Sequence, residues 1–275
     1  MAAMFIIVCF TAHLQSPVDP FVSGYPGMEA YSSSQADVFS ILTNTASLAQ
    51  LKSSSAGLVS ERRFLMDELN TCAALLGVVV PRGRFALKIL YAGFSECKQT
   101  QAGLAYARRL GQYVDAGVQF SYHGFQITGY GGAAELSVEA AVVFHVTEKL
   151  NAGISIFNPG NLKFGPGSEE RLPALYKLGM GYEASPIAFV SAEIIKEEFR
   201  PVDAKIGIRY RVHPLLFVKA GVSTATSSIW TGAGIVRRSL HLDMAISYHP
   251  VLGVSPQLSL QFVSKERSLE KVPVE

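Results

Sequence analysis

From Ser239 to Val263 the chain reads SLHLDMAISYHPVLGVSPQLSLQFV, and its side chains sort into two faces at a period of two. Leu240, Leu242, Met244, Ile246 and Tyr248 fall on one face of the first half, with Ser239, His241, Asp243, Ala245 and Ser247 on the other. After a turn, Leu258, Leu260 and Phe262 alternate with Gln257, Ser259 and Gln261. Successive strand side chains point to opposite faces, so this pattern predicts two strands with an apolar medium on one side. The opposite face carries a histidine and an aspartate, and so meets water or a polar interior. Repeated along a chain, the pattern marks a transmembrane β-barrel.

The rest of the chain repeats it. Segments near 54–66, 71–80, 84–95 and 101–110 alternate less regularly, bounded by Asp67-Glu68, Pro81-Arg82-Gly83 and Lys98-Gln99-Thr100. Tyr113–His123 and Leu136–Val146 alternate more cleanly. Six further segments follow at 152–157, 174–182, 187–196, 204–212, 216–223 and 229–236. With the closing pair the expectation is about 14 antiparallel strands, an even number as single-chain bacterial barrels require. No spacing for parallel crossovers is present. The connections agree: those presumed to face the periplasm are all short, among them His213-Pro214 and Arg237-Arg238. The two longest, 124–135 and 158–173, both fall on the presumed outside. Hydrophobic residues make up 49% and charged residues 17%, yet no apolar run reaches the roughly 18–20 residues a spanning helix needs. A soluble β-sandwich is the competing all-β reading, and it predicts longer connections than these.

Parity assigns the interior. Asp115, Glu139, His145, Lys177 and Glu193 point inward, as do Lys205, Arg209, Lys219, His241 and Asp243; Arg84, Lys88 and Arg211 share that side. Mixed signs imply an ion-paired lumen, because unpaired charge away from water is costly. Inward glycines, including Gly117, Gly179 and Gly207, leave room for something packed inside. The segment 17–52 is the expected plug. Asp37 is placed to cap a short helix carrying Val38, Phe39, Ile41 and Leu42, with Asn44 just beyond. The expected division is therefore an export signal at 1–16, the plug at 17–52, the barrel at 53–264 and a polar tail at 265–275.

Within the plug the chain reads Gly24-Tyr25-Pro26-Gly27-Met28, then Asp37, then Asn44-Thr45-Ala46-Ser47-Leu48-Ala49. This resembles the Gly-x-x-Gly-Met, Asp, Asn-Pro-Ala-Gly-Leu-Ala pattern of an outer-membrane barrel superfamily. That superfamily includes the long-chain fatty-acid transporters and the PorV/PorQ-type barrels of type IX secretion in Bacteroidota. Thr45 stands where the pattern has proline and Ser47 where it has glycine. The stretch Ser247-Tyr248-His249-Pro250-Val251-Leu252-Gly253 also looks like the end of a PorV/PorQ-type barrel. The resemblance implies outer-membrane location and two possible roles. The favoured one is docking of a secreted protein or translocon subunit through the loops at 124–135, 158–173 and 249–255. The alternative is transport of a small hydrophobic ligand past the plug, which the charged lumen disfavours.

Catalytic and cofactor readings find little support. His241 with Asp243, and His145 with Glu139, are better read as scattered lumen polars than as metal ligands. Ser247, His241 and Asp243 share one strand face, where neighbours cannot form a nucleophile–base–orienter chain. Thr128-Gly129-Tyr130-Gly131-Gly132 lacks the strand–helix frame of a phosphate loop. Cys72 and Cys97 are expected to be unpaired. A net charge of +2 gives no case for nucleic acid. The expectation is a non-enzymatic barrel without a cofactor, whose partners are the lipid bilayer and either a protein or a small apolar ligand.

Overall fold

The computed structural model describes residue 21 and residues 27–160, 172–225 and 227–264. The expected signal and tail lie outside them, as does most of the 158–173 connection.

Fourteen antiparallel strands close into a barrel. In chain order they are β1 Ser55–Arg62, β2 Asn70–Val80, β3 Gly83–Gly93, β4 Cys97–Leu110, β5 Val114–Ile127, β6 Gly131–His145 and β7 Leu150–Phe157. There follow β8 Leu175–Ser185, β9 Ala188–Glu197, β10 Asp203–His213, β11 Leu216–Ser223, β12 Ser228–Arg237, β13 Leu240–His249 and β14 Gly253–Val263. Each pairs with its sequence neighbours, and β1 pairs with β14 from Ser55 opposite Val263 to Glu61 opposite Gln257. Closure leaves no free sheet edge along the ring.

The strands are inside out relative to a soluble protein. On β13, Met244 is 63% exposed while Ser247 is 3% exposed. On β14, Leu258, Leu260 and Phe262 face outward, and Gln257, Ser259 and Gln261 are buried inside. Tyr91, Tyr122, Tyr176, Tyr182, Tyr210 and Tyr248 join them on the outer face. No helix among the described residues is long and apolar enough to cross a membrane; the apolar exterior belongs to the strands.

Several expected boundaries move; the connection expected at Lys98-Gln99-Thr100, for one, lies within β4. The first strand stops at Arg62, because Phe64 and Leu65 turn the chain with φ of 52° and 59°. The expected loop at 124–135 is mostly strand. Gly124 to Ile127 pair with Ala134 to Gly131, and the connection shrinks to Thr128–Tyr130, with positive φ at Gly129 and Gly131. Glycines there permit the reversal that a longer loop would otherwise make.

Residues 27–51 run inside the barrel as three 3₁₀ helices, Met28–Tyr31, Val38–Leu42 and Thr45–Gln50. The helical expectation is thus corrected to short 3₁₀ turns. Asp37 caps the second, accepting from Phe39 N at 2.9 Å while Ser40 Oγ accepts from Asp37 N at 3.2 Å. Asn44 caps the third, accepting from Ala46 N at 3.0 Å. Phe39, Ile41, Leu48 and Leu51 pack with Val59, Leu75 and Leu90 of the wall in the largest apolar cluster.

Candidate functional site

The inner segment occupies the half of the bore where β1 begins, here the near end. Small wall residues make the space. A Cβ on Gly179 would lie 2.2 Å from the Tyr31 ring, and one on Gly117 would lie 2.7 Å from Ala46 N. Gly207 lies beneath Met28 in the same way.

The inward charges meet this segment. Glu139 accepts from Thr45 Oγ1 at 2.7 Å and Glu193 from Tyr31 Oη at 3.0 Å. Lys177 donates to Leu42 O at 3.2 Å. Glu29 is held by Lys219 at 2.5 Å and Arg209 at 3.6 Å, and Lys219 also reaches Asp243 at 3.6 Å. Arg209 also donates to Gln35 and stacks over Phe217 at 4.1 Å. Asp115 forms a second group with Arg109 and His145, each at 2.8 Å. Lys205 lies across from Glu193 in the register of β9 and β10, and His241 lies across from Gln261 on β14. Of the expected plug residues, Phe39 and Ile41 are buried against the wall, and Asn44 Nδ2 donates to Ile154 O at 3.4 Å.

Burial works against charge on Glu29, but Lys219 and Arg209 outweigh it and hold the carboxyl below its usual range. Asp37 is pushed up to about 7, first by burial and then by Glu29. Burial, reinforced by Glu193, holds the Tyr31 phenol well above its usual range, so it stays a donor.

Beyond the inner segment lies a cavity of about 20 Å³, space for one or two waters. Ile41, Leu42, Phe157 and Leu175 line one part, and Lys88, Gln101, His123, Glu139, Ser155 and Lys177 the rest. Phe157 and Leu175 continue into an apolar cluster with Leu172 and Ile195, against which Phe125 packs. Parity had placed Lys88, Glu139 and Lys177 inside. The alternation of β5 sets His123 on the same polar face as Asp115; Gln101 was missed as a lining residue, and the same alternation along β4 identifies it.

Solved structures share this architecture. The chain is similar to a structure titled CymD monoaromatic hydrocarbon channel, with a TM-score of 0.64, 10% identity and coverage of 88% of this chain and 97% of that one. The Ralstonia pickettii toluene transporter TbuX matches with a TM-score of 0.64 and 11% identity over 87% and 98% of the two chains. A Pseudomonas aeruginosa FadL homologue matches at 0.62 and 12% identity, over 87% and 97%. This is the fold of FadL-type channels. No family model matches the sequence, and no curated protein matches it significantly.

The comparison corrects the favoured functional expectation. Barrels titled for hydrocarbons and toluene share the fold over nearly their whole length, and this finding overturns the secretion-docking expectation. One of the loops expected to recognise a protein partner is also only a three-residue turn. Nor does the charge of the lumen argue against an apolar cargo as first read, since much of it is engaged by the inner segment.

Proposed function

We propose that this chain is an outer-membrane barrel that admits small, predominantly hydrophobic molecules, with residues 27–51 acting as its plug. The observation that carries the reading is the shared fold, which covers 97–98% of the hydrocarbon-channel and toluene-transporter chains. The apolar exterior supports the membrane setting, because a closed barrel satisfies its backbone hydrogen bonds without water. The near end opens to the periplasm in this reading, since both termini of an even-stranded barrel lie there. The ligand enters from the far end, meets Phe157, Leu172, Leu175 and Ile195, and reaches the cavity above Ile41 and Leu42. Passage from there requires the plug to move.

The test is uptake by intact cells that do or do not produce the protein, with toluene, a medium-chain fatty acid and sucrose as probes. Faster entry of either apolar probe, with sucrose unchanged, supports the reading. Equal acceleration of sucrose would make the barrel an open pore. No acceleration of any probe would refute transport.

A further inference from the structure

The two ends of the barrel differ in the sign of their exposed charge. At the near end the connections are short, with Pro81-Arg82 between β2 and β3 and Arg238-Ser239 between β12 and β13. These turns hold Arg82, Lys149 and Arg238 with Glu148 as the acid among them, and the adjoining strands add Arg108 and Arg237. Each of these cations is exposed, and none has a side-chain partner among the described residues. The far end is the reverse. Its described connections carry Asp67, Glu68, Glu96 and Glu198, and two of its cations are matched, Arg62 by Asp67 and Arg200 by Glu197 at 3.2 Å. A rim that met only water would have no reason to sort its charges this way.

The near-end cations also stand at a defined height. Leu110, Val146, Leu215 and Leu240 are 47–56% exposed at or beside the turns, so the apolar outer band runs up to this rim. On β4, Leu104, Tyr106 and Arg108 share the outer face, while Ala105 and Ala107 are buried between them. Tyr106 packs on Phe85 of β3 with ring centroids 4.9 Å apart, and its Oη donates to Arg82 O at 3.0 Å. The register that sets Arg84 opposite Ala107 brings the Arg82 turn beside Arg108. A tyrosine at the edge of an apolar band marks the membrane–water interface, ring in the hydrocarbon and hydroxyl among the headgroups. Arg82 and Arg108 thus flank an interfacial tyrosine, their stems free to lie along apolar surface while the charged heads reach the phosphate layer.

We propose that this arc of the near rim, from β12 across the β1–β14 seam to β7, is a docking surface for anionic phospholipid. Arg82 and Arg108 hold one headgroup, and Arg237 and Arg238 a second; guanidinium groups match phosphate oxygens through paired hydrogen bonds. Lys149 extends the arc. The turns after β8 and β10, Pro186-Ile187 and Pro214-Leu215, contain no Lys or Arg. Arg238 has a φ of 54°, where glycine or asparagine would be less strained, yet the position carries a guanidinium. Lipid fits the arc better than an acidic protein does. A protein approaching along the barrel axis would meet the turns but not Arg108, which faces outward beside Tyr106.

The proposal rests on the membrane setting of the proposed function but not on transport, so a barrel that moves no cargo would still select its lipid. The full chain, folded in detergent, is given equimolar phosphatidylglycerol and phosphatidylethanolamine, and the retained lipids are counted by native mass spectrometry. One basic side chain at an anionic surface strengthens binding roughly fivefold, and retained phosphatidylglycerol should exceed phosphatidylethanolamine by at least that factor. Combining Arg82→Gln, Arg108→Gln, Arg237→Gln and Arg238→Asn should abolish the preference. Combining Arg62→Gln, Lys98→Gln, Lys196→Gln and Arg200→Gln, the same loss of charge at the far end, should leave it unchanged. In the wild type alone the preference should fade as added salt screens the rim, which keeps the test decisive if a variant misfolds. Equal retention of the two lipids would leave the arc to an acidic protein and overturn the proposal. So would a preference indifferent to salt, one that survives in the folded near-end variant, or an equal loss in the far-end control.

Discussion

The close fit between residues 27–51 and the wall makes Gly117→Ala a sharp test of the packing. Alanine suits a strand, and β5 pairs on both sides at this position, so the barrel itself has no reason to object. The added Cβ, however, would lie 2.7 Å from Ala46 N and 2.8 Å from both Ala46 Cα and Thr45 C. Those are backbone atoms, which no rotamer change can remove. The third 3₁₀ helix must shift, and with it the bonds from Thr45 to Glu139 at 2.7 and 3.3 Å. Overpacking of this kind costs about 1–3 kcal/mol. Applied to an equilibrium between docked and undocked plug, that is roughly a 5- to 150-fold rise in the undocked fraction. Hydrogen exchange over Thr45–Gln50 should accelerate by a factor in that range, while exchange in β5 and β6 stays slow. Gly160→Ala is the control, since among the described residues a Cβ there meets nothing within 4 Å. Unchanged exchange at Thr45–Gln50 in Gly117→Ala would refute the claim that the plug is seated against this strand.

Lys219→Met removes the cation nearest Glu29 and leaves Arg209, at 3.6 Å, alone to offset it, a loss of up to about 3–5 kcal/mol for a buried pair. Protease cleavage near Met28–Tyr31 should increase, and adding Glu29→Gln should recover part of the protection. Asp37 holds a proton in the folded chain up to about pH 7, whereas its ordinary value is 3.8. Its contribution to plug stability is therefore full at low pH and is lost as pH rises through that window. Asp37→Asn keeps an acceptor for Phe39 N and should flatten the slope in a thermal-melting series. Leu175→Trp would put an indole into the small cavity. Uptake of an apolar probe should then fall toward that of cells lacking the protein, with the barrel still resistant to detergent unfolding.

The barrel was legible because strand side chains alternate and the two media differ. Leu240 to Tyr248 and Leu258 to Phe262 announce their faces, and the same parity put Glu139, Lys177, Glu193 and Lys219 inside. What parity cannot supply is a partner. Tyr31 and Glu193 are 162 residues apart, and nothing local to either residue names the other. The hairpin at Gly124–Glu135 was misread because its alternation fades among glycines and alanines, where pairing rests on backbone bonds instead of side-chain burial. Phe64 and Leu65 look like strand continuation by composition, and only their backbone angles reveal the turn. Function was the least legible part. The motif near the N-terminus resembles that of barrels of different roles, and the transport proposal rests on the three-dimensional fold.

The seam between β1 and β14 also sets an order of events. Ser55 pairs with Val263, so the ring cannot close until nearly the whole described chain has been made. The inner segment, residues 27–51, precedes β1 and is synthesised before it. Tyr31 and Met28 lie beneath glycines of β8 and β10, strands that follow well over a hundred residues later. The wall must therefore be assembled around the inner segment, or the segment must be threaded in before the last strand zips onto the first. Joining such distant partners is slow, because a long loop must be ordered before its contacts repay it. A chain that zips early would trap residues 27–51 outside. The glycines that seat the inner segment in the finished barrel thus also record which of the two events has to come first.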